Sequence, residues 1–262
     1  MIGYSGATLK PSNNYGVRSG CDAPDMVVLH YTAMETVEEA LERLCSRDHE
    51  VSAHYLISAS GEIFQLVAED RRAWHAGVSY WAGQRDVNSR SIGIELDNNG
   101  CTPFPCPQSR ALVVLCQDIF QRWSIPTWRI VAHSDVAIGR KIDPGPKFDW
   151  RGLAKENIGS WPLRGQAALG IDEAQFLEDA AIYGYETTLG LKLVLAAFRL
   201  HFRPMAQGPL DPIDCALAHG LAGHLPLTHL TEPLNRIERG GLDGRGPQGS
   251  RKVRTPQSNS AG

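Results

Sequence analysis

Met26-Val27-Val28-Leu29-His30-Tyr31 follows the polar, proline-containing stretch Asp22-Ala23-Pro24-Asp25. A short apolar run bounded by such a segment reads as a buried strand, and His30 sits at its C-terminal end. Beyond it, Thr36 and Glu39 have capping-box spacing, and Val37, Ala40, Leu41 and Leu44 recur at helical intervals, so a helix follows the strand. Ala53 to Ser58 and Glu62 to Val67 read as two strands joined by a turn at Ser60-Gly61. Ile92, Ile94 and Leu96 alternate with Gly93, Glu95 and Asp97, which predicts a strand with one face toward the core and Glu95 on the other. Leu112, Leu115, Cys116, Ile119 and Trp123 mark a second amphipathic helix. Arg129 to Ala132 is a last short strand that runs into His133. Strands alternating with helices predict an α/β layer architecture.

Composition agrees with a globular chain. Of 262 residues, 42% are hydrophobic and 21% charged, with a net charge of -3, which excludes a disordered chain, a fibre and a disulfide-dense miniprotein. No stretch approaches the roughly 18–20 apolar residues of a membrane span, and the N-terminus has no leader-like pattern. Cys101 and Cys106 flank Thr-Pro-Phe-Pro and are the one close cysteine pair, open to bridging in an oxidising compartment; Cys45 and Cys116 fall on apolar helix faces. The acidic balance gives no reason to expect a nucleic-acid partner.

After a break between Gly159 and Gly170 the pattern becomes helical. Helices are expected around Ala174 to Tyr183, from Leu189 to Leu200 with Leu189, Leu193, Ala196, Ala197 and Leu200 on one face, and from Asp211 onward. In the last, Asp211 is placed to cap, Pro212 to open the first turn, and Ile213, Ala216, Leu217 and Leu221 to share a face. The segment 233–262 carries Arg236, Arg239, Arg245, Arg251, Lys252 and Arg254 against Glu238 and Asp243, with no aromatic residue, and reads as a flexible basic tail.

Two histidines stand apart from the other seven because each terminates a strand. His30 and His133, joined by Asp143 from a Gly- and Pro-rich segment, would supply two imidazoles and a carboxylate to a tetrahedral zinc ion and leave its fourth position open. For His49, His54, His201, His219, His224 and His229 an ordinary hydrogen-bonding role is expected.

The run His133-Ser-Asp-Val-Ala-Ile-Gly-Arg-Lys-Ile-Asp-Pro-Gly-Pro resembles the zinc N-acetylmuramoyl-L-alanine amidases of the peptidoglycan-recognition-protein fold. Four more segments match that family in order: Val28-Leu29-His30-Tyr31-Thr32, Ser52-Ala53-His54-Tyr55-Leu56, Ala73-Trp74-His75-Ala76-Gly77 and Ser91-Ile92-Gly93-Ile94-Glu95. Tyr183-Gly184-Tyr185 and Ala197-Phe198-Arg199-Leu200-His201-Phe202-Arg203-Pro204 resemble the C-terminal peptidoglycan-binding-like module of the longer, AmiD-type branch, which the shorter AmpD type lacks. The resemblance implies a central mixed β-sheet flanked by helices and a small all-α C-terminal domain. The implied layout is a catalytic domain at 1–158, a linker at 159–170, the helical domain at 171–232 and the tail at 233–262.

Carried onto this chain, the resemblance makes His30, His133 and Asp143 ligands of Zn2+, Glu95 the general base and Lys141 the cation facing the developing oxyanion. The implied reaction hydrolyses the amide between N-acetylmuramic acid, or its 1,6-anhydro form, and L-alanine of the stem peptide. Arg140 resembles a position that meets a substrate carboxylate, with a loop salt bridge as the alternative. Trp74 and His75 resemble cleft-lining residues, although core packing suits Trp74 equally. Asn98 is read as a substrate hydrogen-bonder or a turn former. The rival class is a peptidoglycan-binding protein without catalysis, whose members usually lack a metal ligand. The expected partner is peptidoglycan or a muropeptide. The expected location is the cell envelope, which suits a wall-binding module, with the cytoplasm as the alternative favoured by the missing leader.

Overall fold

The computed structural model describes residues 1–162 and 170–224. Most of the expected linker and all of the tail lie outside these residues, as does the end of the helical domain. In chain order the strands are β1 (Thr8–Leu9), β2 (Tyr15–Val17), β3 (Met26–Tyr31), β4 (Tyr55–Ile57), β5 (Ile63–Gln65), β6 (Arg71–Ala73), β7 (Tyr80–Trp81), β8 (Gln84–Arg85), β9 (Ser91–Leu96) and β10 (Ile130–Ala132). The helices are α1 (Val37–Cys45), α2 (Val87–Arg90), α3 (Cys106–Trp123), α4 (His133–Val136), α5 (Trp150–Lys155), α6 (Glu173–Tyr183), α7 (Leu191–Phe202) and α8 (Pro212–His224).

Six strands form a mixed sheet in the order β1-β5-β4-β9-β3-β10, in which only the β4–β5 pair is antiparallel. β2–β6 and β7–β8 are small antiparallel ribbons. The sheet is apolar on both faces, as its parallel centre requires. Val27, Leu29, Ile92, Ile94 and Ile130 pack on one side with Leu112, Leu115, Cys116 and Ile119 of α3. Met26, Val28 and Val131 pack on the other, in one cluster with Phe176, Tyr183, Tyr185, Phe198 and Phe202. The helices after residue 170 therefore cover the second face of the sheet. Glu95 shares that covered face and is half-buried.

Register decides what meets at the sheet's C-terminal edge. His30 pairs with Glu95 across β3 and β9, and Ala132 pairs with Leu29 across β10 and β3. His133 is thus delivered beside His30 as β10 ends. In parallel sheets this edge is where ligand sites form.

Thr36 caps α1 through Glu39 N–H, and Asp211 accepts from the N–H groups of Ile213 and Asp214 at the start of α8. Two expected helix faces are rotated. In α7, Leu189 precedes the helix and Leu193 is exposed, while Val194, Leu195, Ala197, Phe198 and Phe202 are buried, because the paired phenylalanines choose the inward side. In α8 Ile213 is exposed and Cys215, Ala218 and Leu221 are buried. Cys116 is buried, Cys45 is half-buried with its thiol on the Lys10 carbonyl, and Cys101 and Cys106 are exposed free thiols. Among the described residues no helix is long and apolar enough to cross a membrane.

Since one apolar cluster joins sheet and C-terminal helices, they should unfold together. Phe198→Ala, which empties a site with no solvent exposure, is expected to cost about 3–5 kcal/mol. It should lower a single thermal transition followed both by tryptophan fluorescence and by far-UV circular dichroism; a second, separately shifted transition would contradict the shared core.

Candidate metal centre

His30 ends β3, His133 opens α4 directly after β10, and Asp143 lies in the loop beyond α4, held by a backbone bond from Ser134 N–H to the Asp143 carbonyl at 3.0 Å. These three buried side chains converge. His30 Nδ1 and His133 Nδ1 are 2.9 Å apart, and each lies 3.0 and 2.9 Å respectively from Asp143 Oδ2. Of the described residues, they form the one His/Cys/Asp/Glu group of this kind.

The backs of the two rings settle where their protons sit. Ser91 Oγ is 2.6 Å from the Val87 carbonyl, which can only accept, so the serine proton is committed there. His75 Nε2 must then donate to Ser91 Oγ at 3.1 Å, which leaves His75 Nδ1 bare. His30 Nε2–H consequently donates to His75 Nδ1 at 3.0 Å. On the other ring, His133 Nε2–H donates to the Ala76 carbonyl at 3.2 Å. Both Nδ1 atoms therefore carry lone pairs toward a carboxylate. Burial first, and the neighbouring His133 second, push the His30 pKa down to about 4, so the ring stays neutral.

Three acceptors facing one another call for a cation. Donors about 2.0–2.1 Å from a tetrahedral zinc ion stand about 3.3 Å apart, close to the separations found here, and two imidazoles with one carboxylate leave a corner open. The hydrogen bonds behind the rings are the kind that orient metal-ligating histidines.

Glu95 lies beside His30 by register, with Oε2 shielded from solvent and, among the described residues, without a hydrogen-bond partner. Burial, then the Asp143 charge, push its pKa up to about 8, against an opposing pull from Lys141. Lys141 is exposed. Arg140, also exposed, donates from Nη2 to the carbonyls of Ala76, at 2.9 Å, and Val78. Among the described residues it makes no salt bridge. Trp74 is half-buried.

His75 is buried behind His30, and its two ring nitrogens are engaged by His30 and Ser91. It fits there because residue 93 is glycine: a Cβ at Gly93 would come within 2.5 Å of the His75 ring. Asn98 is also buried; its Oδ1 accepts from Gly100 N–H at 2.8 Å and its amide donates to Thr102, so it builds a turn. His54 is satisfied by Gly93 N–H and the Arg71 carbonyl, and burial pushes its pKa down to about 3.

Several supporting residues escaped the sequence reading. Asn88 Oδ1 accepts from the N–H groups of both His75 and Ala76, and Asp135, two residues after His133, is completely buried. Ser91 could have been found from its place in the Ser91–Glu95 motif. Asn88 offered no local signal.

Residues 20–146 match the family model described as N-acetylmuramoyl-L-alanine amidase. The chain is 39% identical over 227 residues to N-acetylmuramoyl-L-alanine amidase AmiD of Escherichia coli, covering 75% of this chain and 81% of that protein. It is 33% identical to the 1,6-anhydro-N-acetylmuramyl-L-alanine amidase AmpD of the same organism, over 55% of this chain and 88% of that one. Among solved structures, the complex of Escherichia coli AmiD with the substrate anhydro-N-acetylmuramic acid-L-Ala-D-gamma-Glu-L-Lys superposes with a TM-score of 0.70 at 36% identity, covering 78% of this chain and 91% of AmiD. AmpDh3 from Pseudomonas aeruginosa, in complex with anhydromuramic pentapeptide, gives 0.69 at 34% identity, over 85% and 98% of the two chains. Likeness to AmiD across most of both chains, in sequence and in fold, means that this chain belongs to the N-acetylmuramoyl-L-alanine amidase family.

Proposed function

We propose that this enzyme is a zinc hydrolase of the amide bond between the lactyl group of N-acetylmuramic acid, or its 1,6-anhydro form, and L-alanine of the stem peptide. The observation that carries this function is the triangle of bare acceptors on His30, His133 and Asp143 with Glu95 next to it in the sheet. When bound there, zinc supplies Lewis acidity to the scissile carbonyl and lowers the pKa of water.

Each remaining task falls to a side chain. Glu95 takes the proton of the attacking water on a carboxylate oxygen and returns it to the departing alanine nitrogen. Lys141 brings a positive charge to the oxygen that becomes negative as the carbonyl is attacked. Arg140 uses Nη2 to brace the Ala76 and Val78 carbonyls and offers Nε and Nη1 to a stem-peptide carboxylate. Trp74 offers an indole face to the substrate. His75 and Asn98 serve the substrate indirectly, through His30 and the 98–102 turn. The solved complexes of AmiD and AmpDh3 with anhydromuropeptides support this substrate class. The extension at 171–232 supports a location in the cell envelope, where a second contact with polymeric peptidoglycan raises local substrate concentration.

A chelator should abolish stem-peptide release from an anhydromuropeptide, and added zinc should restore it. Glu95→Gln should keep zinc bound while kcat falls by about 10²–10⁴-fold; release indifferent to both treatments would refute the proposed chemistry.

Glu95 also predicts a stability slope. Below its ordinary value of 4.5 the carboxyl is protonated in both states, whereas between there and about 8 the unfolded chain has lost a proton that the folded protein retains. In the metal-free enzyme this carboxyl therefore contributes stability that is lost as pH rises through that window, whereas His30 and His54, kept neutral in the fold, contribute the opposite slope below their ordinary value of 6.5. In thermal melts of the zinc-free proteins, the stability of the unsubstituted chain relative to Glu95→Gln should fall as pH rises from 4.5 to about 8; parallel profiles would contradict the burial of this charge.

A further inference from the structure

The residues that mark the C-terminal module include two whose side chains reach a buried aspartate beside His133. Tyr185 O–H donates to Asp135 Oδ1 at 2.8 Å, and His201 Nδ1–H donates to Asp135 Oδ2 at 2.7 Å. The same Oδ2 accepts the Ala132 N–H at 2.8 Å, immediately before His133. All three side chains are buried, and Asp135 and His201 have no exposed side-chain surface. The His201 ring is held between Trp150, with ring centres 3.9 Å apart, and Phe202, at 4.1 Å. Tyr185 packs edge-on against Trp81 at 5.2 Å.

We propose that the helical module is a working part of the metal centre: Tyr185 and His201 are positioning residues that, through Asp135, fix the turn carrying His133. The proposal rests on the zinc-hydrolase function assigned to the site. Two features give it force. α4 is a single turn, too short to hold its own geometry, and the loop that leaves it carries Lys141 and Asp143. A buried carboxylate also demands donors, and two of those seen on Asp135 come from beyond residue 170. Loosening either donor lets the turn shift, and with it one metal ligand directly and a second through the Ser134–Asp143 backbone bond.

A module that only tethers the enzyme to the wall would affect turnover of polymer and leave a small soluble substrate untouched. Positioning predicts that turnover of the small substrate falls as well. The test uses the full chain and the variants Tyr185→Phe, His201→Ala and His201→Asn, the last because the asparagine amide can replace the Nδ1–H donor. Zinc affinity is read by competition with a chromogenic chelator, and kcat and KM are measured on a soluble anhydromuramoyl peptide. Tyr185→Phe and His201→Ala are expected to weaken zinc binding about 10–100-fold and to lower kcat more than they raise KM. His201→Asn should recover most of the affinity lost in His201→Ala.

Folded variants with unchanged zinc affinity and kcat would overturn the proposal, as would His201→Asn behaving no better than His201→Ala. Should His201→Ala fail to fold, Tyr185→Phe and His201→Asn decide the matter by the same two readouts, with weakened zinc binding in the first and near-normal binding in the second supporting it. Failure of the unsubstituted protein to bind zinc or release stem peptide would instead sink the function itself, so the two failures are distinguishable.

Discussion

The carbonyl oxygens of Val87 and Ala76 can only accept hydrogen bonds, and that one-way property propagates through the whole site. It commits the Ser91 proton, then that of His75, and finally that of His30, while Ala76 does the same for His133 in a single step. The outcome is two Nδ1 lone pairs aimed at a carboxylate at about van der Waals separation or less, an arrangement that repels itself until a cation enters. Fixing the tautomers from behind means that neither Nδ1 would have to lose a proton for a metal ion to bind there.

The arrangement stores instability in a cleft that the rest of the fold must overcome. Glu95 keeps a shielded oxygen without a partner among the described residues, and His75 occupies a space that exists only because residue 93 lacks a side chain. Such local conflicts are tolerable because the surrounding sheet is apolar on both faces and its parallel register leaves little freedom to the strand ends. A carboxylate with an elevated proton affinity next to a cation site is also suited to passing a proton back and forth near neutral pH.

Covering the second sheet face ties the C-terminal helices to the chemistry. Phe176, Phe198 and Phe202 fill the space over Met26, Val28 and Val131, while Tyr185 and His201 reach the polar end of the same layer. Packing and polar satisfaction thus act on one interface. The layout expected from sequence divides the chain at residue 158, yet the apolar cluster crosses that division without interruption.

Local pattern determined much about this protein by itself. The strand at Met26–Tyr31, the cap at Thr36, the helical repeats from Leu112 to Trp123 and around Ala174 to Tyr183, and the histidines at two strand ends all follow from periodicity and composition, whereas the resemblance of the Lys141-Ile142-Asp143-Pro144 run to the amidase family singled out Asp143 beside them. Only tertiary structure decided the rest. Which side of α7 turns inward depends on what the phenylalanines meet, so spacing alone chose Leu193 where packing chose Val194 and Phe198. Asn98 was legible as a substrate hydrogen-bonder or a turn former and makes a turn with Gly100, while the ring nitrogens of His75 are engaged by His30 and Ser91, partners that only the fold brings near. His201 looked ordinary and instead reaches a buried aspartate 66 residues away. Hydrogen-bond direction and side-chain burial are properties of pairs brought together by the chain's return, and no window of sequence contains both members.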